Sequence, residues 1–458
     1  MATGINPHIF RANDIRGKVG SDLNPEAVQL LGKGFGTYIQ KHSGKTVIIG
    51  RDNRMSSKGY QDNFVEGLIS TGCVVHDIGL VTTPMLYFGL RHFKLDSAVV
   101  VTGSHNPPDM NGFKLCNAEG AIAGKEIQVI REIIEAGVFA QGAGAVAPHQ
   151  IQEPYELFMK QHFTFKKQYK IVVDGGNSIG GHANFPILSA LNMKVLPLYC
   201  DLDGTFPNHF PDPTVVAHNK DLIHWVKEKN YDFGVGFDGD GDRLGIVDNK
   251  GVIRWGDQMM ILFSREILKK NPGAKILCEV KCSHALIEDV EKNGGIPVMC
   301  PTGHSIVEEK LKEEKALLAG EMSGHIFFND RYFGYDDALY ATLRLVELLD
   351  IHPGKTLHDL FSDIPQYFAS PEIRVSCADE TKFGVVDQMK ASFQRDGYEM
   401  ITIDGARVQF GDGWGLIRAS QTEGKLIMRF EGKTQEKLEE IKNVFAKKLE
   451  EVGMQLPE

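Results

Sequence analysis

A chain of 458 residues exceeds what one compact core holds, and at about 150 residues per domain it divides into three or four units. Hydrophobic residues at 42% and charged residues at 24% exclude a mainly disordered chain. With Lys+Arg at 50 against Asp+Glu at 60 the net charge is −10, which argues against general binding of nucleic acid or an anionic membrane, so an anionic substrate would need a locally basic cleft.

The opening residues Met1 to Pro7 show neither the basic nor the apolar region of a signal peptide, and no apolar run reaches the roughly 18 residues of a membrane span. Seven cysteines, an odd and sparse set, fit a reducing cytosol better than a disulfide framework. Cys278, Val280 and Cys282 alternate and are expected on one face of a strand, as buried thiols rather than a metal site.

Three stretches share one order of parts. Each opens with an apolar strand ending in polar or glycine residues: 47–54, 171–178 and 276–283. A helical segment follows, then a second short strand at 74–80, 195–201 or 297–303. A third apolar run then breaks into a distinctive loop: Thr102-Gly-Ser104-His-Asn-Pro107, Asp238-Gly-Asp-Gly-Asp242-Arg243, and Gly320-Glu321-Met-Ser323-Gly-His325. Alternating strands and helices imply mainly parallel α/β sheets, whose sites lie at the carboxyl ends of strands, where these loops fall. From about 368 the pattern changes to short half-buried strands and a charged terminal helix from about Thr434 to Glu451, an α+β unit. The expected architecture is α/β: three similar mixed or parallel-sheet domains (1–150, 151–253, 254–367) and a C-terminal α+β domain (368–458) around a central cleft.

Asp238, Asp240 and Asp242 alternate with glycines, whose freedom lets the backbone gather three oxygen ligands about one hard cation. An EF-hand is excluded, because Arg243 stands where its glycine is needed and Asn249 where its glutamate is needed. Magnesium shared with a phosphate suits the trio. Ser104 lacks the Gly-x-Ser-x-Gly elbow; His105 beside it could activate or orient it, and a metal loop in the next repeat favours phosphoryl transfer through this serine. Glu321, Ser323 and His325 alternate, so an extended loop would aim all three one way, a fork for sugar hydroxyls. Arg418, Ser420, Gln421 and Thr422 follow a strand and make a phosphate cradle. Two decoys are structural: Ser43-Gly-Lys45-Thr46 has Ile39 where a P-loop needs glycine, and Gly32-Lys-Gly34-Phe-Gly36 lies in a helical pattern.

Together these motifs resemble the α-D-phosphohexomutase superfamily over essentially the whole chain, with Phe10-Arg-Ala-Asn-Asp-Ile-Arg16-Gly17 similar to its opening motif. Gly320-Glu-Met-Ser-Gly324, with Met322 where phosphoglucosamine mutases usually carry glutamine, resembles the phosphomannomutase/phosphoglucomutase branch, as do 203–213 and 331–337. The resemblance implies reversible interconversion of hexose 1-phosphate and hexose 6-phosphate, mannose or glucose, through phosphorylated Ser104 and a hexose 1,6-bisphosphate. It implies one Mg2+ per chain held by Ser104, Asp238, Asp240 and Asp242. Arg16, His105 and Lys114 would surround the phosphoserine, and His325 would carry a proton. Asn13, Arg243, Lys281, His304, Glu321, Met322, Ser323, Gly324 and His325 would meet the sugar or its phosphate, and Arg418, Ser420, Gln421 and Thr422 the non-reacting phosphate. Asn13 stands where the branch often has tyrosine, Gln421 where asparagine is common, and Gly424 where proline is frequent. A cytoplasmic monomer acting on small hexose phosphates, without nucleic acid or membrane partners, is expected. Phosphoglucosamine mutase, a metal-dependent sugar phosphatase using Asp238, and a non-catalytic sugar-phosphate sensor stay open as alternatives.

Overall fold

The computed structural model describes residues 5–420 and 424–457, which form four sheets in chain order. Three of them follow one plan. In the first, Thr46–Arg51 pairs in parallel with Val74–Leu80 on one side and Ser97–Val101 on the other, and Met110–Asn117 returns antiparallel beside Ser97–Val101. Lys170–Asp174, Lys194–Leu198, Phe233–Phe237 and Leu244–Asp248 repeat that order, as do Lys275–Glu279, Ile296–Cys300, Leu318–Gly320 and Ile326–Phe328.

The antiparallel fourth strand makes each of these sheets mixed, within the expected mixed or parallel arrangement. Each distinctive loop joins a parallel strand to an antiparallel neighbour, so it is a hairpin connection at the sheet's carboxyl end rather than a crossover. The returning runs escaped the sequence pattern because they follow on loops dominated by their polar residues. Ser97–Val101 and Phe233–Phe237 are buried along their whole length, as strands covered on both faces are, and their apolar runs do not alternate for that reason.

One apolar cluster runs through all three of these units: Ile48, Leu86 and Val100 of the first, Ile171, Ile187 and Phe233 of the second, Met260, Phe328 and Leu339 of the third. The first three domains therefore behave as one packed body. Within it, Thr82 caps the helix Thr83–His92, its side chain accepting from Met85 N–H, while the Thr83 amide donates to Asp240 O at 2.8 Å. A helix of the first domain thus starts on the aspartate loop of the second.

The fourth sheet is antiparallel throughout, with Lys425–Gly432 and Gly413–Ala419 at its centre. Its own core includes Phe393, Met428 and Phe445. Apart from Lys425 the two central strands are buried throughout rather than half-buried, since one face packs on the helices Lys382–Arg395 and Gln435–Glu451 and the other meets the third domain. There Trp414 and Leu416 pack on Val280. Arg407 donates to Val280 O at 2.7 Å and Cys282 O at 2.9 Å, and its guanidinium lies 3.8 Å from the Trp414 ring centroid. Val280 thus faces the fourth domain while Cys278 and Cys282 sit in the body's core, because the strand ends at Glu279 and the alternation fails beyond it. The seven cysteines are free, and six are buried.

Candidate active site

The phosphoserine-candidate loop is held from below by a pair of residues outside the sequence-selected set. Asp52 and Arg54 follow the strand Thr46–Arg51 and are both buried. The Arg54 guanidinium spends all five N–H groups: Nε on Asp52 Oδ2 (3.1 Å), Nη1 on Pro107 O (2.7 Å) and Met110 O (3.1 Å), Nη2 on Ser104 O (2.7 Å) and Asn106 O (2.6 Å). Asp52 accepts in addition from Ser57 Oγ, Thr102 Oγ1 and the Gly103 amide. Ser104 has φ +49°, an unusual left-handed conformation for a residue with a Cβ. Arg54 draws its carbonyl one way while Oγ donates to Asp238 Oδ2 at 2.9 Å, with His105 Nδ1 3.2 Å from the same oxygen. Gly239 packs against the Ser104 carbonyl so closely that a Cβ there would lie 2.1 Å from that oxygen. The serine and aspartate loops are therefore pressed together, and only glycine fits between them.

The three aspartates converge, with one ligand oxygen from each within 4.8 Å of the others, and all are buried. Asp238 Oδ1 accepts the amides of Gly241, Asp242 and Arg243 at 3.0–3.1 Å. Asp240 Oδ2 accepts from Thr83 Oγ1 at 2.6 Å and from Lys114 Nζ at 2.7 Å, and Lys114 also donates to Asp242. Among the described residues, Oδ1 of Asp240 and Oδ1 of Asp242 are buried and find no hydrogen-bond partner, which is costly unless a cation fills the space. Burial and the charges of Asp242 and Asp240 push Asp238 well above the usual carboxylate range. Burial acts the same way on Asp242, but Lys114, His325 and Arg243 override it and hold that carboxyl below its ordinary value. An all-oxygen cluster with two orphaned oxygens fits a hard divalent cation such as magnesium.

Around this floor opens a cavity of about 1260 Å3. Arg16, Asn13 and His105 of the first domain line it, with Arg243 of the second, Lys281, His304, Glu321, Met322, Ser323 and His325 of the third, and Arg418 and Ser420 of the fourth. Ser104, Lys114 and the aspartates lie just behind this lining; Ser104 is 2% exposed. Gly324 does not line the cavity: its φ of +96° turns the chain where a Cβ would lie 2.2 Å from Leu244 O. Gln421 and Thr422 lie outside the described residues.

The sugar-loop candidates are not carried on an extended segment. Glu321 N–H donates to His325 O at 2.9 Å, and Gly324 N–H to Glu321 O at 3.2 Å, so a tight turn replaces the alternation. Glu321 still accepts from Ser323 Oγ (2.8 Å) and the Gly303 amide (3.1 Å), but His325 is directed elsewhere. Its Nδ1 donates to Asp336 Oδ2 at 2.6 Å and its Nε2 accepts from Arg243 Nε at 2.9 Å, a tautomer fixed because the guanidinium can only donate. Burial and Arg243, against the opposing pull of Asp242, lower His325 to about 4. Burial likewise holds His105, beside Arg243 and Arg16, and His304, beside Lys114 and His325, well below the ordinary histidine value. All three imidazoles are neutral near pH 7; His105, with Nδ1 3.2 Å from Ser104 Oγ, is placed to accept or relay a proton, whereas both ring nitrogens of His325 are already engaged.

Three further carboxylates went unselected. Asp336 orients His325, and Glu279 and Asp404 hold the loops of the third and fourth domains. Asp52, Arg54 and Glu279 share a legible signal, since each ends or directly follows the first strand of its repeat, at the sheet's carboxyl end. Asp404 has no such mark in an otherwise polar turn.

Models of four domains match in order: phosphoglucomutase/phosphomannomutase alpha/beta/alpha domain I over residues 7–141, domain II over 153–251, domain III over 255–368, and the C-terminal domain over 372–448. A phosphomannomutase/phosphoglucomutase of Pseudomonas aeruginosa is 42% identical over 449 residues, 98% of this chain and 97% of that protein. A phosphoglucomutase of Neisseria meningitidis is 40% identical over 95% of both chains. The crystal structure of a phosphoglucomutase/phosphomannomutase family protein from Burkholderia thailandensis superposes with a TM-score of 0.92 at 36% identity, covering 99% of this chain and 100% of that one. The chain belongs to the phosphoglucomutase/phosphomannomutase family and is an enzyme of the isomerase class.

Proposed function

We propose that this enzyme interconverts the 1- and 6-phosphates of mannose and of glucose, with Ser104 as the phosphoryl carrier and a hexose 1,6-bisphosphate as the intermediate. The observation that carries this reading is the 2.9 Å hydrogen bond joining Ser104 of the first domain to Asp238 of the second, at the floor of a cavity lined by basic groups from all four. One magnesium ion, held by the three aspartates and a phosphoserine oxygen, would offset charge on the transferring group.

The chain's own groups supply the remainder. Arg16, Lys114 and Arg243 place positive charge around the serine, where charge develops during transfer. As the bond between phosphorus and the Ser104 oxygen breaks, a bond forms to the free hydroxyl of the bound sugar. The hydroxyl's proton passes to the departing serine oxygen by way of the neutral His105 imidazole, whose Nδ1 lies 3.2 Å from that oxygen. Glu321 and Ser323 hold sugar hydroxyls in either orientation. Lys281, Arg418 and Ser420, across the cavity, hold the phosphate that does not react. After the bisphosphate turns over, its other phosphate returns to Ser104.

The phosphatase reading has less support: both oxygens of Asp238 are engaged, one by three backbone amides and one by Ser104, which leaves a poor nucleophile. Free buried cysteines support a reducing cytoplasm, and among the described residues no helix is long and apolar enough to cross a membrane. The test is turnover by Ser104→Ala with bisphosphate supplied, on glucose, mannose and glucosamine 1-phosphates. The reading expects wild-type activity on the first two and none by the variant; near-normal turnover by the variant contradicts it, and a strong preference for glucosamine 1-phosphate reassigns the substrate.

A further inference from the structure

Arg418 and the sugar-binding loops sit on different domains, yet one carboxylate holds both. Asp404 Oδ2 accepts from Arg418 Nε at 2.8 Å and from the Thr302 backbone amide at 3.0 Å. Thr302 Oγ1 donates in turn to Glu279 Oε2 at 2.7 Å, and the other oxygen of Glu279 accepts the Met322 amide at 3.3 Å. The loops carrying His304 and Glu321 are thereby tied through Asp404 to the arginine of the fourth domain. The approach is built in: Gly405, at φ +80°, lies where a Cβ would be 2.2 Å from Ile417 O and 2.7 Å from the Arg418 Cβ, so only glycine brings Asp404 this close. The side chains of Arg418 and Asp404 are 6% and 9% exposed, shielded enough for their ion pair to hold one geometry.

We infer that Asp404 is a positioning residue, fixing the Arg418 guanidinium in register with the sugar loops so that the phosphate which does not react and the sugar that carries it are gripped together. The inference rests on Arg418 holding that phosphate, as proposed above. It has a direct consequence. Because the same phosphate site serves both substrate orientations, loss of Asp404 should weaken the 1-phosphate and the 6-phosphate alike, without touching the groups that transfer phosphorus.

The experiment compares Asp404→Asn, Arg418→Lys and the double variant, measuring kcat and KM for glucose 1-phosphate and glucose 6-phosphate, and calorimetric binding of inorganic phosphate. Asp404→Asn should raise both KM values and the phosphate dissociation constant about ten-fold, the range expected for losing a charge-assisted hydrogen bond, with kcat within about three-fold. Adding it to Arg418→Lys should change KM by less than about two-fold, because a residue acting through another has no second effect once its partner is altered. A merely structural role would lower kcat through loss of folded enzyme and leave KM alone. Unchanged KM and phosphate binding in Asp404→Asn, or multiplicative effects in the double variant, would overturn the inference. Should the wild type turn over no hexose phosphate, the proposed function fails, and phosphate binding by the same three variants still decides the role of Asp404.

Discussion

The body of three fused domains and the C-terminal domain are held together by different physics. Inside the body, apolar side chains from all three domains pack into one core, and a helix of the first domain begins on the aspartate loop of the second. The C-terminal domain keeps its own core and meets the body through a few apolar residues and buried polar links: Arg407 on two backbone carbonyls, Lys281 on Glu372 at 3.0 Å, Asp404 between Arg418 and Thr302. A continuous core resists displacement, because dense packing admits few alternative arrangements. An interface of discrete polar contacts can be released and remade. The proposed phosphoryl-transfer groups lie in the body, where rigid packing would keep sub-ångström relations, whereas the candidate phosphate cradle lies on the part able to release and re-grip the proposed intermediate.

Substitutions test this contrast by the kind of parameter they move. Ser104→Ala removes the proposed carrier and should lower kcat by about 10³-fold or more while the thermal transition stays unchanged. Asp240→Asn, or chelation of divalent ions, should lower kcat by about 10²–10³-fold, with magnesium restoring the chelated wild type but not the variant. Arg54→Lys should cost about 10²-fold in kcat at nearly constant KM, since an ammonium cannot satisfy the four carbonyls that set the Ser104 backbone. On the other side of the contrast, Arg407→Ala should leave the body's melting transition in place and destabilise the docking of the C-terminal domain by about 2–3 kcal/mol, seen as a separate calorimetric transition. A single cooperative transition in that variant would break the distinction between the two regions.

The same interface should also depend on pH. Burial would raise the carboxyl of Glu372, but Lys281 and Arg374 override it and bring the group down from 4.5 to about 2. A carboxylate lowered in the folded state adds stability that is fully present above its unfolded value and lost as pH falls through its folded one. Docking of the C-terminal domain should therefore weaken between about pH 4.5 and 2, by no more than a few kcal/mol, and Glu372→Gln should abolish that slope. Denaturant titrations at stepped pH measure it.

Much of this was open to reading in the residues themselves. Gly alternating with Asp at 238–242 announces converging carboxylates, and the order of strands in three repeats places Ser104, Asp238 and Glu321 at equivalent ends. What the pattern could not supply was tertiary. The alternation of Glu321, Ser323 and His325 implied a common direction, but the short hairpin to Ile326–Phe328 forces a turn, and Asp336, eleven residues on, captures the imidazole. Arg54 reads as a solvated charge after a strand until the loop fifty residues later closes over it. Asp404 is invisible for the same reason: both its partners come from other elements, and one from another domain.

The most direct measurement follows the phosphoryl group itself. Dephosphorylated enzyme incubated with magnesium and glucose 1,6-bisphosphate, then digested and mapped by mass spectrometry, should carry a single phosphate on Ser104, gained and discharged at rates compatible with turnover. Phosphate found on another side chain, or an enzyme that cycles substrate while Ser104 stays unmodified, would contradict the account.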